Sequence, residues 1–86
     1  MASIDEVRSG IALASQKASE SLGALQQAQT HIEEAQQVLQ RHTEGTQQSD
    51  AQDAVNQLQQ AASSINEVQQ LVQSAVSSAE GVSQRL

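Results

Sequence analysis

Apolar residues recur along this chain in steps of three and four. From Ile4 the series runs Ile4, Val7, Ile11, Ala14, Ala18, Ser21, Leu25, Ala28, Ile32, Ala35, Leu39, His42, with only the Ser and the His breaking it. From Ala51 the same step gives Ala51, Ala54, Leu58, Ala61, Ile65, Val68, Val72, Ala75, Ala79, Val82 and Leu86 without interruption. A seven-residue apolar repeat is the mark of long helices that wind left-handedly about a partner. Between the two series lies QRHTEGTQQSD, residues 40–50, where apolar residues are absent until Ala51. The pattern therefore predicts an all-α chain: a helix over about 3–42, a bend over about 43–48 that includes Thr43, Glu44 and Gly45, and a helix over about 49–86.

Local chemistry marks the same limits. Ser3 precedes Glu6 by three residues and Ser49 precedes Gln52 by three, the spacing of a capping box. Arg41 and His42 stand where the last turn of a helix favours cations, and Gly45 can take the left-handed conformation that ends one. Pro is absent, and Ala, Gln, Glu and Leu abound, so helix propensity agrees with the period.

Folding the arms back on each other, with His42 facing Ala51, sets Leu39 against Ala54, Ala35 against Leu58, Ile32 against Ala61 and Ala28 against Ile65. Each layer then holds one large and one small side chain, a filling that favours an antiparallel hairpin over one straight helix. The seam expected within the chain is Ile4, Val7, Ile11, Leu25, Ile32 and Leu39 on the first arm and Leu58, Ile65, Val68, Val72 and Val82 on the second. Beside it stand Leu22, Val38, Val55, Leu71 and Val76, apolar residues that a two-helix hairpin would leave partly in water. They are the expected contact surface for a dimer or another partner. Gly10, next to the seam, is expected to let the arms approach closely.

Composition sharpens the need for a partner. Thirteen of the thirty-two apolar residues are Ala, and aromatic residues are absent, so each buried position contributes little. A chain of 86 residues buries only a little over ~60% of its unfolded surface. With no Cys, disulfides and thiolate metal sites are ruled out, which leaves oligomerisation as the source of extra stability. The expectation is a symmetric homodimer forming an antiparallel four-helix bundle.

Charge and hydropathy narrow the other partners. Ten Asp and Glu against four Lys and Arg give a net charge of −6, which repels nucleic acid and anionic lipid. An amphipathic lipid-surface binder would carry aromatics on its apolar face and basic residues on its polar one, and this chain has no aromatics and four basic residues. No apolar run reaches the ~20 residues of a membrane span. The start, MASIDEVRSG, lacks the basic and apolar blocks of a signal peptide. The expected location is the cytoplasm, with export only by a route that needs no cleaved signal.

Candidate chemistry is sparse. His31 and His42 are eleven residues apart, roughly 16 Å along a helix and too far to share a metal. The paired carboxylates at Asp5–Glu6 and Glu33–Glu34 point ~100° apart on a helix, and a two-helix rod offers no concave pocket for acid–base work. None of the twelve Ser stands within one helical turn of a His that could activate it. The reading is a non-enzymatic module with no cofactor and no metal. A purely structural spacer, whose faces bind nothing, is its second competitor beside the lipid binder.

A short chain of this charge without Cys, with a capped helix at residue 3 and two long arms about a central bend, resembles the WXG100 or ESAT-6-like proteins of actinobacterial and firmicute type VII secretion. The resemblance spans the whole chain and is architectural. Where that family carries Trp-x-Gly at the bend this chain reads Thr43-Glu44-Gly45, so only the Gly matches, and without Tyr it lacks the family's C-terminal Tyr-x-x-x-Asp/Glu export signal. The run MASIDEVRSGIALASQKASESLGALQQAQ also looks like small helical proteins of actinobacteria and the N-terminal helical segments of large polymorphic toxins. The resemblance implies an adaptor or chaperone linked to type VII-like secretion or to a toxin, acting through a self-associating helical hairpin.

Overall fold

A serine hydroxyl opens the first helix. Ser3 sits in extended backbone and its Oγ accepts a hydrogen bond from the Glu6 backbone N–H at 3.1 Å, satisfying one of the donors that every helix start leaves free. In the computed structural model, which describes residues 3–45 and 49–86, this helix is α1, Ile4–His42, and it is followed by α2, Ser49–Arg85. Asp5 and Glu6 in its first turn and Arg41 and His42 in its last complement the helix dipole.

α1 ends through Thr43. Its backbone N–H donates to the Leu39 carbonyl at 3.0 Å and its hydroxyl donates to the same oxygen at 2.7 Å, so the last exposed carbonyls are partly covered. Gly45 follows with φ of +87°, a left-handed conformation that turns the chain away from the helix axis. Residues 46–48 of the expected bend lie outside the described residues. Ser49, read from the sequence as a cap, is itself the first described residue of α2.

The helices form an extended antiparallel hairpin of 63 × 18 × 15 Å. Its register is set by what the two arms share. Gln69 Nε2 donates to Gln26 Oε1 at 3.4 Å, Ala14 and Ala18 line one cleft with Ala75 and Ala79, and Gln40 lines another with Gln52 and Val55. The core is as thin as the composition implies: among the described residues only Val55, at 4% exposure, and Ala62, at 8%, are buried.

The stripe that faces across the hairpin differs from the expected seam by a rotation of one position. On α2 the least exposed residues follow Ala51, Val55, Leu58, Ala62, Ile65, Gln69, Val72, Val76 and Ala79. On α1 they follow Ile11, Ser15, Ala18, Leu22, Leu25, Gln29, Ile32, Gln36 and Leu39. The physical reason is volume. Three series seven residues apart compete on each arm, and only two can face the other helix; on α2 all three are largely apolar, whereas on α1 the third, Arg8, Ser15, Leu22, Gln29 and Gln36, holds one apolar residue. The series shared by both readings, from Ile11 to Leu39 and from Leu58 to Ala79, is inside. Of the remaining two, the hairpin turns inward the one that holds Leu22, Gln29, Gln36, Val55, Gln69 and Val76, side chains bulkier than the alanines that dominate the other and so better able to fill the space between the helices. Gln29, Gln36 and Gln69 come with it and can be tolerated, since a long amide at the rim keeps its head in water or, as in the Gln26–Gln69 bond, finds a partner. The Ala and Val series, uninterrupted only on α2, is left toward the flank, with Val7, Ala28, Ala54 and Ala61 half-buried and Ala14, Ala35, Val68, Ala75 and Val82 exposed.

Candidate interaction surface

The rotation gives the rod two unlike sides. On one, Gln26, Glu33 and Gln40 of α1 run beside Gln52, Gln59, Asn66, Gln73 and Glu80 of α2. Shallow clefts open there, lined by groups such as Gln36, Gln59 and Asn66, or Arg8, Ser15, Glu80 and Gln84. On the opposite side run Val7, Ala14, Ala28 and Ala35 of α1 beside Ala54, Ala61, Val68, Ala75 and Val82 of α2. Ala14 and Ala75 meet across this side around an open apolar cleft of about 270 Å³, whose other walls are Ser15, Ala18, Val76 and Ala79. Residues seven apart stay near the same side of a helix over a few turns, so Val68 and Val82 share this side with Ala75, while Ala28, Ala54 and Ala61, nearer the bend, are half-buried.

The residues named from sequence divide between these places. Val55 is the most buried side chain, and Leu22 and Val76 are half-buried between the helices, so these three belong to the intrachain packing and not to an outer flank. Val38, half exposed, and Leu71, at 71% exposure, stand on the outer edge of the apolar side. Of the expected seam, Val7, Ile11, Leu25, Ile32, Leu39, Leu58, Ile65 and Val72 are half-buried, whereas Ile4, Val68 and Val82 are exposed. Gly10 is not at a close approach, because a Cβ there would meet nothing within 4 Å. The small residues of the apolar side, Ala14, Ala35 and Ala75 above all, were read as seam; the signal that places them outside is the side-chain volume of the competing series.

Charge follows the same division. Eight of the ten Asp and Glu occupy positions on the polar side or the back of the helices; Glu44 lies in the bend, and Asp50, beside it, lies at the edge of the apolar side. Lys17 and His31, on the outer edge of α1, make exposed contacts with Glu20 at 3.8 Å and Glu34 at 3.7 Å, each within its own helix. Pairs of this exposed kind hold surface side chains in place and add little to stability.

Among the described residues no three His, Asp or Glu side chains come close enough to hold a metal ion. His42 is exposed at the end of α1 and His31 faces solvent beyond the apolar side. Ser15 is the one described residue whose buried hydroxyl has no hydrogen-bond partner, and the cleft around it is mostly alanine. No helix among the described residues is long and apolar enough to cross a membrane. Comparison with protein-family models, curated proteins and solved structures finds no match to this chain.

Proposed function

We propose that this chain is a non-enzymatic protein-protein interaction module, a helical hairpin whose partner is a second copy of itself or a similar hairpin. The observation that carries the reading is the one-sided apolar strip of Ala14, Ala28, Ala35, Ala61, Val68, Ala75 and Val82. A helix that packs on one neighbour needs two apolar series in seven; a helix in a bundle needs three. The second arm carries three, one of them broken by Gln69 and Ser83, and the first carries two plus Leu22; on each arm the series that the facing stripe leaves mostly exposed lies on the same side of the rod. Surface area argues in the same direction. A compact protein of 9.1 kDa exposes about 4,900 Å², and this rod exposes 6402 Å². A partner that covers the strip removes much of the difference. An adaptor or chaperone role, in type VII-like secretion or beside a polymorphic toxin, is the setting that the architectural resemblance supports.

Sedimentation equilibrium tests the reading. The expected species has roughly twice the 9.1 kDa chain mass, and the double variant Val68→Glu/Val82→Glu, which leaves the facing stripe untouched, sediments as a single chain with its helical signal retained. A wild-type chain that stays monomeric through the high micromolar range would sink self-association, and pull-down by the same strip would then decide between a different hairpin and a spacer that binds nothing.

A further inference from the structure

We propose that the apolar side is covered by a second copy lying flat against it with its bend at the opposite end, so that the cleft between Ala18 and Ala79 receives Ile32 and Ile65 of that copy. The proposal rests on the reading of the chain as a self-associating hairpin and adds the orientation and the fit.

The argument begins with where the middle of the rod lies. The Gln26–Gln69 hydrogen bond puts Leu71 level with Ala24, halfway along the arm from Ser3 to Gly45. Leu71 is also the most exposed of the large apolar side chains, at 71%. A two-fold axis crossing the rod at this level brings the two Leu71 side chains together and maps every other level onto its mirror about the middle. Ala18 and Ala79 then lie as far toward the open end as Ile32 and Ile65 lie toward the bend, to within about half a helical turn. All four belong to the one series that faces both the sister helix and the apolar side. The layer with the least side-chain volume, where the 270 Å³ cleft opens, is thereby matched to a layer of two isoleucines. The same operation brings Val38, half exposed, onto Gly10, where added atoms meet nothing within 4 Å. It also sets Val68 beside Ala75 and Val82 beside Ala61. Large meets small at each of these places, as close packing requires.

The other two-fold arrangement, with both bends at one end, fails on the same observations. It stacks the Ala18 and Ala79 layer on its own copy and leaves the cleft empty, and it turns Val38 toward Gln57. It also crowds Glu44, Asp50 and Asp53 of both copies at one end, where like charges repel. With bends opposed these carboxylates are a rod length apart, and the facing surfaces carry Asp50 as their only acid. A face 63 Å long and 18 Å wide has a projected area on the order of 1,100 Å², above the roughly 800 Å² per partner of a stable interface.

The chain has no Cys, so single introduced thiols report unambiguously. Spin labels on Glu44→Cys should lie close to the 63 Å rod length apart in the dimer, against roughly 25 Å or less, about two helix diameters, for bends at one end. Leu71→Cys should form an intermolecular disulfide under mild oxidation. Ala14→Glu, at the exposed lip of the cleft, should weaken the dimer at least tenfold while leaving helicity unchanged. A dimer with a short Glu44→Cys distance, or one that Ala14→Glu leaves intact, overturns the orientation and the fit while self-association stands. A chain that is monomeric at every concentration overturns both.

Discussion

Side chains of the same chemical type carry very different weight along this rod, and burial decides which. Val55, at 4% exposure, is the least exposed large side chain among the described residues, so Val55→Ala should cost ~1.5–3 kcal/mol. Leu13 is 56% exposed on the back of α1, and Leu13→Ala should fall within ~0.5 kcal/mol of wild type. Urea midpoints of the two variants, compared at one protein concentration, check the contrast; equal losses would mean that the facing stripe is misplaced. Ser15 behaves in the opposite sense to both. Its buried hydroxyl has no partner, and alanine both removes that unmet group and is the better helix former, so Ser15→Ala should raise stability by ~1 kcal/mol, read as a higher melting temperature. Ser3→Ala removes the bond to the Glu6 N–H and should cost ~0.5–2 kcal/mol in the same assay.

At the scale of the helices, the two glycines to compare are Gly23 and Gly45. Gly23 lies in the middle of α1 with nothing within 4 Å of the place a Cβ would take, so Gly23→Ala should stabilise by up to ~1 kcal/mol through propensity alone. Gly45 has equal room but a φ of +87°, and Gly45→Ala should destabilise by ~1–2 kcal/mol because an L side chain resists that conformation. Opposite signs in thermal unfolding are the expected result. The pair also shows why the all-α hairpin was legible in the sequence. Period, propensity, the Ser3 cap and the Gly45 turn are each local, and each acts within a few residues. The facing stripe was not legible in the same way. On α2 three largely apolar series share the seven-residue period, and on α1 the third shows only Leu22, so period alone could not place it inside, and continuity pointed to the series uninterrupted on α2. The choice falls to packing volume, which depends on Leu22, Val55 and Val76 meeting the other arm. The same step divided the candidate surface: Val38 and Leu71 stand at the edge of the apolar side, whereas Leu22, Val55 and Val76 are taken into the hairpin and Val68 and Val82 are left outside it.

For the molecule as a whole, folding and association should be linked. Two buried residues among those described give a lone hairpin little to offset the entropy of ordering two long arms, and a partner that covers the strip adds aliphatic burial at ~25 cal/mol per Å². The melting temperature should therefore rise with protein concentration, as mass action requires. Val68→Glu/Val82→Glu should melt at a temperature independent of concentration. A wild-type melt that also stays fixed over a hundredfold dilution series would separate the hairpin's stability from any second copy.

The 63 × 18 × 15 Å shape fixes how the molecule turns in water. Backbone N–H bonds in a helix point along its axis, and here both helix axes run along the long dimension, so the amide vectors of 4–42 and 49–85 are almost collinear. Spinning about the long axis barely moves them; only end-over-end tumbling does. Nitrogen relaxation should report slower motion than the mass implies and nearly the same rate at residue after residue, as though the chain were one stiff needle. Laying a second rod alongside with its bend reversed thickens the needle without lengthening it.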